Sequence, residues 1–336
     1  MLPFVSIIVP VKSEARYIIE CVASLLNQDY PNNRYEIIIV LDKNATDAVK
    51  KALRPYSRKI KVLQSRKKGS AANRNIGTSK ASSKAKYFAF TDADCIADKG
   101  WLKTLVTRME QVRKSEKDID VIGGLNLVPK TDNKMAKTIG AMEQTLLGGG
   151  GSAQVAVSGE EQIVPSLPNC NSMYRKELWK KNKQDENLIV GQDGEFNYRL
   201  SKQGVRFLAI PDAVVWHHRT SSIKGFVRRM FKYGEATARI WKKHKNIEFL
   251  RIRWYGLVPV AALIIFTGIL IWSLFSLTGL YILAFVSGVY AAADILTAAS
   301  VIQKTRMKHS IISLILLPLQ HLMYALGFIR GIIWPG

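Results

Sequence analysis

Short apolar runs alternate with helical patterns through the first half of the chain. Runs rich in β-branched or aromatic residues, which predict strands, occupy residues 4–10, 35–42, 59–64, 86–92 and 120–128. Helix-compatible patterns lie at residues 14–27, 46–56 and 70–79. Strands that alternate with helices predict βαβ units and a mostly parallel sheet.

Three of these strands end at residues that break the apolar pattern, and two of those residues are carboxylates. Pro10, Asp42 and Asp92 each close an apolar run. Ligands of parallel sheets bind beyond the carboxyl ends of the strands, so these residues are expected to share one crevice. The small-residue segment GSAANRNIG, residues 69–77, predicts a short helix on which Arg74 and Asn75 approach a ligand closely.

The last quarter of the chain has a different pattern. Apolar segments at residues 257–277, 280–302 and 311–333 approach or exceed the ~20 residues that span a bilayer as a helix, so three transmembrane helices are predicted. Pro318, Gln320 and His321 leave a re-entrant or interfacial placement open for the third. Asp294 is a lone acid in the second, for which Gln320 or His321 is a candidate partner.

Charge changes this picture in one respect. The net charge is +23, and after residue 254 only Lys304, Arg306, Lys308 and Arg330 oppose Asp294. The excess on the first part favours an anionic partner, although a basic proteome or simple solubility explains it too. The basic joint at residues 303–310 is predicted to be cytoplasmic, and the soluble part with it.

Three other segments carry weaker signals. Residues 222–245 mix apolar residues with eight Lys and Arg, which predicts interfacial amphipathic helices or a solvated basic helix. The Gly-rich residues 146–154 predict a flexible loop or lid. Cys21, Cys95 and Cys170 lack the spacing of a zinc site or a disulfide framework, and the chain start lacks a basic leader, so a reducing cytoplasmic compartment is expected.

Asp92 and Asp94 flank a single alanine at a strand end. Two hard oxygen donors in this position suit Mg²⁺ or Mn²⁺, which would neutralise a diphosphate leaving group. A solvated acidic turn is the alternative.

Eight motifs follow one another along residues 4–234. In chain order they are IIVPVKSE, IIIVLDKNATD, AANRNIG, FTDAD, NCNSMYRKE, GQDGEFNYRLSKQG, PDAVVWH and RRMFKYG. Their order resembles the inverting family 2 glycosyltransferases of the GT-A fold. The resemblance implies a Rossmann-like α/β nucleotide-sugar-binding domain over residues 1–220, with interfacial helices at 221–254 and a transmembrane domain at 255–336.

The resemblance also implies roles for single residues. Donor-binding roles fall on Pro10, Glu14, Asp42, Arg74, Asn75 and Asp92, with Asp47 as a further acid of the second loop. Metal-binding roles fall on Asp92, Asp94 and His217, although His217 beside His218 is equally compatible with a structural role. Contacts to the acceptor or the diphosphate are expected from Asn171, Gln192, Arg229 and Lys232.

Asp193 matches the catalytic base of the family, with Gln192 in place of the commoner Glu. An inverting transfer needs a carboxylate that takes a proton from the attacking acceptor hydroxyl. Glu195 is the second candidate for this base, and a helix N-cap is the alternative role for Asp193.

These patterns predict a membrane-bound, Mg²⁺- or Mn²⁺-dependent inverting glycosyltransferase. Its donor is a nucleotide diphosphate sugar, and its acceptor a polyprenyl-type phosphate or lipid-linked saccharide at the cytoplasmic face of the membrane. RRMFKYG departs from the QxxRW of processive synthases, which favours single transfer, but a processive synthase stays open. A non-catalytic membrane scaffold is a further alternative, whereas no nucleic-acid motif is present.

Overall fold

The computed structural model describes residues 2–150, 159–245 and 254–334. The chain forms two compact units, Met1–Pro129 with Ala156–His218, and Lys130–Val155 with Arg219–Gly336. The change of unit after His218 lies close to the predicted boundary at residue 220. The second unit also takes in Lys130–Val155, a segment that the sequence pattern assigned to the first domain.

The first unit is built on one mixed sheet. Its strands among the described residues are β1 (Phe4–Val11), β2 (Tyr35–Leu41), β3 (Lys61–Gln64), β4 (Ala85–Thr91), β5 (Cys95–Ala97), β6 (Ile119–Leu127), β7 (Gln162–Val164), β8 (Asn171–Arg175) and β9 (Arg206–His217). The order is β3-β2-β1-β4-β8-β6-β9-β5, and β7 also pairs with β9.

The predicted parallel strands are confirmed, and their pairing explains why the site lies at one edge. β2, β1 and β4 run parallel, with Pro10 opposite Val40 and Ile8 opposite Phe90. β3 joins β2 in the same direction. The carboxyl ends of these four strands therefore meet at one edge of the sheet, as the βαβ pattern requires.

The antiparallel strands complete the sheet. β8 runs antiparallel to β4 and β6, and β9 runs parallel to β6 while pairing antiparallel with β5 and β7. The β5–β9 pair sets Cys95 opposite His217, so the strand that follows the two aspartates is held by the histidine strand.

Helices pack on both faces of the sheet of the first unit. They are α1 (Ala15–Leu26), α2 (Asp47–Leu53), α3 (Ser70–Ser79), α4 (Trp101–Ser115), α7 (Lys176–Lys181) and α8 (Gln192–Ser201). Ile7, Val9 and Ile39 on the sheet pack with Ile18 and Leu105 of α1 and α4, and all five are fully buried. Close packing matters at α3, because a Cβ at Gly77 would meet the side chain of Ile8.

The second unit is helical in the described residues. Its helices are α5 (Lys134–Glu143), α6 (Leu146–Gly149), α9 (Ile223–His244), α10 (Val258–Ser273), α11 (Leu277–Thr305) and α12 (Ser313–Ile333). The predicted loop at 146–154 thus begins as the short helix α6, and its residues 151–154 lie outside the described ranges.

α11 and the segment Lys308–Ile333, which includes α12, are long and apolar enough to cross a membrane. Phe285 and Leu296 of α11 leave 72% and 71% of their surface exposed, as lipid-facing side chains would. α10 has 16 residues and reaches about 24 Å, which is less than the ~30 Å hydrocarbon core. The first of the three predicted spans is therefore the shortest helix of the three. In the third, the helix α12 continues through Pro318 without a break.

The basic segment at residues 222–245 forms a single helix, α9, which packs along α12. A Cβ on Gly327 would overlap the carbonyl oxygen of Phe231, and one on Gly234 would overlap that of Tyr324. Tyr324 donates a hydrogen bond to Thr237 at 2.9 Å. Small residues thus let the two helix backbones approach closely.

Asp294 of α11 is 7% exposed, and its Oδ1 has no hydrogen-bond partner among the described residues. The two predicted partners bond elsewhere. Gln320 donates to the carbonyl of Gly148 at 2.7 Å, and Nδ1 of His321 lies 2.9 Å from the hydroxyl of Tyr290.

Candidate active site

The first strand end is closed by Glu14. Its Oε2 accepts hydrogen bonds from the backbone N–H groups of Lys12 and Ser13, at 2.8 and 2.7 Å. Pro10 is buried in β1. The Glu14 carboxylate therefore shapes the turn that follows the strand, and its predicted contact with a nucleotide stays a prediction.

Asp42 ties the second strand end to α3. Its Oδ2 accepts from the N–H of Gly69 at 2.7 Å and its Oδ1 from that of Asn44 at 2.9 Å. The side chain is buried, and Gly69 adopts φ +98°, a conformation that favours glycine. Asp47, in contrast, starts α2 with 97% of its side chain exposed and pairs with Lys50.

Arg74 and Asp92 form an ion pair of 2.6 Å between α3 and the end of β4. The Arg74 side chain is 4% exposed and that of Asp92 30%. Nε and Nη1 of Arg74 have no hydrogen-bond partner in the described part of the chain. Two buried guanidinium nitrogens with unused N–H groups next to a strand end are suited to an anionic ligand such as a diphosphate.

Burial raises the pKa of the Asp92 carboxyl, Arg74 opposes this effect, and the charge of Asp94 adds to it. Two acids so close are more easily kept ionised when a cation lies beside them.

Asp94 lies at the centre of a second cluster. Its Oδ1 is 3.5 Å from Nε2 of His217 and 3.9 Å from the Sγ of Cys95. Donor atoms of these three side chains all lie within 4.8 Å of one another. The structure thus brings together two of the predicted metal ligands and adds a thiol that motif reading missed, whereas Asp92 pairs with Arg74. Oxygen and imidazole donors so placed fit a divalent cation.

His218 holds the backbone of this cluster in place. Its N–H donates to the carbonyl oxygen of Asp94 at 3.0 Å. Its ring stacks on Tyr17 with centroids 4.2 Å apart and lies 3.5 Å from Glu20. Of the two adjacent histidines, His218 supports the site and His217 turns to Asp94.

The N-terminus of α8 carries the predicted base. The N-cap is Gly191, in the left-handed conformation, so Asp193 is not the N-cap. Asp193 is partly exposed and accepts from the N–H of Gly194 at 2.8 Å. Glu195 is fully buried and bound by Nε of Arg199 at 3.0 Å. The arrangement leaves Asp193 as the carboxylate within reach of a ligand.

Gln192 and Asn75 fasten α8 and the segment before it to α3. Gln192 donates to the hydroxyl of Ser70. Asn75 donates to the carbonyl of Gln184 at 2.9 Å and to Glu186 at 3.1 Å, and it accepts from the N–H of Gln184. Asn75 is 6% exposed, so its amide has a structural role beside any contact with a donor.

Asn171 lies inside the sheet. Its side chain is fully buried, accepts from Nε1 of Trp101 at 2.8 Å and donates to the carbonyls of Leu125 and Ala213. The structure thus gives this side chain a role in joining strands. Its predicted contact with an acceptor or a diphosphate stays a prediction.

Arg229 and Lys232 belong to α9 in the second unit. Arg229 pairs with Glu143, and Lys232 is exposed. Their predicted contacts with an acceptor or a diphosphate stay predictions.

Sequence reasoning missed four residues at this edge: Ser70, Cys95, Gln184 and Glu186. Cys95 follows the second aspartate directly, and Ser70 starts the small-residue helix, so both were visible as neighbours of the motifs. Gln184 and Glu186 lie in a segment without a periodic pattern.

One sequence of contacts thus joins the site, from Asp42 through Gly69, Ser70 and Gln192 to Asp193, while Arg74 connects α3 to Asp92. A mixed sheet whose parallel strands carry acids at their carboxyl ends, with an arginine on the first of two spaced aspartates and a histidine on the second, fits a glycosyltransferase domain of the GT-A type.

Comparisons with known families agree. The family model described as glycosyl transferase family 2 matches residues 6–146, and that of glycosyl transferase family group 2 matches residues 87–302. The chain belongs to glycosyl transferase family 2, as the motifs indicated.

Two archaeal relatives and one solved structure are similar to this chain. A dolichyl N-acetyl-alpha-D-glucosaminyl phosphate 3-beta-D-2,3-diacetamido-2,3-dideoxy-beta-D-glucuronosyltransferase of Methanococcus voltae is 28% identical over 98% of this chain and 97% of its own. Glycosyltransferase AglE of Haloferax volcanii is 26% identical over 71% and 75%. The mannosyltransferase PcManGT of Pyrobaculum calidifontis, solved with GDP-Man and Mn²⁺, shares the fold, with TM-score 0.64, 17% identity and 95% and 88% coverage.

Proposed function

We propose that the protein transfers one sugar, with inversion, from a nucleotide diphosphate sugar to a saccharide carried on a polyprenyl-type phosphate. The acceptor class is supported by the Methanococcus voltae relative, whose name describes transfer to a dolichyl phosphate-linked sugar and which matches almost the whole chain. The candidate spans α11 and α12 support an acceptor held in a membrane.

One observation carries this proposal: two aspartates that are two residues apart have different partners. Asp92 forms an ion pair with Arg74, and Asp94 lies beside His217. Arg74 offers Nε and Nη1, which have no partner among the described residues, to the diphosphate, and the ion pair with Asp92 holds the guanidinium in place. A positive group at the leaving diphosphate favours departure of the nucleotide, since charge develops there as the sugar bond breaks.

Asp94 and His217, with Asp92 nearby in sequence, would hold Mg²⁺ or Mn²⁺. Bound there, the cation would neutralise charge on the leaving diphosphate.

Asp193 is the proposed base. It accepts the proton of the acceptor hydroxyl while that oxygen attacks the anomeric carbon from the face opposite the diphosphate. It lies in the first turn of α8, and its bond from the N–H of Gly194 fixes the carboxylate at the start of that helix. Asp42 and Glu14 hold the loops against which the nucleotide would bind.

The proposed orientation places the first unit at the cytoplasmic face. Lys304, Arg306 and Lys308 cluster where α11 ends and before α12 begins, and such basic joints stay in the cytoplasm. A Lys308→Cys variant should react with an impermeant maleimide only after cells are permeabilised. Labelling of intact cells would contradict this orientation and place the basic joint outside the cytoplasm.

The test of function uses purified protein in detergent, a panel of nucleotide sugars and a short-chain polyprenyl phosphate-linked saccharide. Mass spectrometry should show a product larger by one sugar, whereas a ladder of masses would indicate a processive synthase. Asp94→Asn and Asp193→Asn should lower the rate at least ~100-fold. Asp29→Asn, which changes an exposed carboxylate paired with Lys103, should leave the rate unchanged. Wild-type rates in both site variants would overturn the proposal.

A further inference from the structure

A cavity of about 400 Å³ lies in the first unit between the C-terminal end of α3, the loop that leads to β4, and α7. Thr78 and Ser79 contribute to its lining from the end of α3. The proposed donor crevice lies at the other ends of the same elements, at Gly69 before α3 and Asp92 after β4. The ten residues of α3 rise about 15 Å between the two places, so the cavity is separate from the site of transfer.

Three ammonium groups border this cavity. Lys176 and Lys180 are one turn apart on the same side of α7, and Lys183 follows that helix. Nζ of Lys176 donates to the carbonyl of Ser83 at 2.6 Å, so this ammonium group is anchored at the loop. None of the described residues that line the cavity is an aspartate or a glutamate. The lining therefore favours an anionic ligand.

Trp179 belongs to the buried part of the lining. It is 1% exposed, and its ring stacks on Phe90 with centroids 4.3 Å apart, so its position is fixed by the core. Its Nε1 has no hydrogen-bond partner among the described residues, whereas buried donors of this kind are nearly always bonded. An acceptor oxygen of a ligand bound beside Trp179 would supply the missing bond.

Hydroxyl groups make up much of the remaining polar lining, from Thr78, Ser79, Ser82 and Ser83. Thr78 and Ser79 donate their hydroxyl protons to backbone carbonyls of α3. Their oxygens are therefore acceptors for hydroxyl groups of a ligand. Asn75 also lines the cavity, but its amide is bonded to the segment before α8.

We propose that this cavity binds a small sugar phosphate. The three lysines hold the phosphate, since ammonium groups bind phosphate as compact point charges. The serine and threonine hydroxyls bond the hydroxyl groups of the sugar. The volume suits a ligand of this size, because small-molecule sites occupy ~300–1,000 Å³. A ligand in this place joins the end of α3 to α7 and restrains both.

Calorimetry on the purified full chain in detergent, without divalent cations, tests binding with a panel of hexose monophosphates. At least one should bind at one equivalent, and inorganic phosphate and the free hexose should bind at least ~10-fold more weakly. The double variant Lys176→Gln, Lys180→Gln should also lose at least ~10-fold in affinity. Lys181→Gln, on the same helix but outside the lining, should keep the wild-type affinity.

Trp179→Phe is the second variant. It keeps an aromatic ring but removes the N–H donor, so it should weaken binding as well. Thermal unfolding without ligand reports whether each variant is folded. Hydrogen exchange of the wild type locates the ligand: exchange should slow at residues 78–84 and 176–184 and stay unchanged at residues 40–46 in the crevice.

Three results would overturn this site. They are no binding by any member of the panel, wild-type affinity in the double lysine variant, and protection confined to residues 40–46. Equal affinity for inorganic phosphate would overturn the assignment to a sugar phosphate. No step of sugar transfer enters these measurements, so their failure leaves the proposed function standing, and failed transfer leaves this site standing.

Discussion

Arg74 and Asp92 connect the helix α3 to the end of β4 through one ion pair of 2.6 Å. The guanidinium is almost completely buried, and Asp92 is its one hydrogen-bonded partner within the described residues. Arg74 therefore balances the charge of Asp92, and its Nε and Nη1, which have no partner in the described part of the chain, are left for another anion.

Arg74→Met should lower the free energy of unfolding by about 1–3 kcal/mol, because Asp92 loses its partner in a partly buried place. Adding Asp92→Asn should recover part of this loss, so the two changes are not additive. Thermal and denaturant unfolding in detergent measures both. Arg206→Met breaks an exposed pair with Glu116 and should cost less than ~1 kcal/mol. Strictly additive losses at Arg74 and Asp92 would show that the pair contributes nothing.

Asn171→Ala should cost about 2–4 kcal/mol, since it leaves Trp101 Nε1 and two strand carbonyls without partners in the core. Asn187→Ala, at an exposed position, is the matched control and should change little. The shift of the denaturant midpoint at constant slope is the measurement. An unshifted midpoint for Asn171→Ala would mean that water replaces these bonds.

Substitutions of Glu195 and Asp193 should affect different properties, the first the stability of the fold and the second the rate of sugar transfer. Glu195→Gln removes the charge that binds Arg199 inside α8, so it should lower the unfolding temperature. Asp193→Asn should leave that temperature unchanged and abolish transfer. Parallel unfolding and activity measurements on both variants test this. An Asp193→Asn protein that unfolds early would assign Asp193 a structural role.

Asn75→Ala should free the segment before α8. Hydrogen exchange of residues 182–188 should become faster, because the bonds to Gln184 and Glu186 are lost. Thr78→Ala, on the same helix but bonded only to its own backbone, should not change the exchange of that segment. Unchanged exchange in Asn75→Ala would show that other contacts hold the segment.

The same segment should respond to acid. The hydrogen bond from Lys67 holds the pKa of the Glu186 carboxyl below its ordinary value. A carboxyl with a lowered pKa stabilises the fold above its ordinary pKa, and this contribution disappears as the pH falls through the lowered value. The protection factors of residues 182–188, which correct for the slower intrinsic exchange in acid, should therefore fall as the pH is lowered, and Lys67→Met should reduce this pH dependence.

Gly327→Ala should loosen the second unit. The added methyl group meets the carbonyl of Phe231, and overpacking of this kind costs about 1–3 kcal/mol. Gly288→Ala is the control in another apolar helix, where nothing lies within 4 Å of the new methyl group. Thermal unfolding in one detergent should separate the two variants. Equal unfolding temperatures would mean that α9 and α12 adjust without cost.

The parallel half of the sheet could be predicted closely, because each strand is a short apolar run with a polar end. β1, β2, β3 and β4 begin and end within two residues of the predicted runs. The residues on those ends were predictable for the same reason. The antiparallel strands were harder, since β5 has three residues and pairs with a strand more than a hundred positions later.

That pairing explains why Cys95 was not predicted to lie at the site. Nothing near Cys95 in the sequence predicts His217 as its neighbour, because long-range register depends on the whole sheet. Asn171 was predicted as a site residue because it stands in a family motif. In the structure its side chain bonds to Trp101, Leu125 and Ala213 within the sheet and its packed helix. Lys130–Val155 joins the second unit through tertiary packing, which local composition does not encode.

α3 carries attachments along most of its length. Gly69 and Ser70 at its start bind Asp42 and Gln192, and the ten-residue helix then holds Asp92 and Gln184. In the proposed enzyme, the position of α3 therefore sets the distance between the residues that bind the leaving group and Asp193, the proton acceptor. Substitutions that move α3 in order to admit another donor sugar will therefore also displace Asp193. Substitutions intended to admit another acceptor are better placed in segments that do not contact α3.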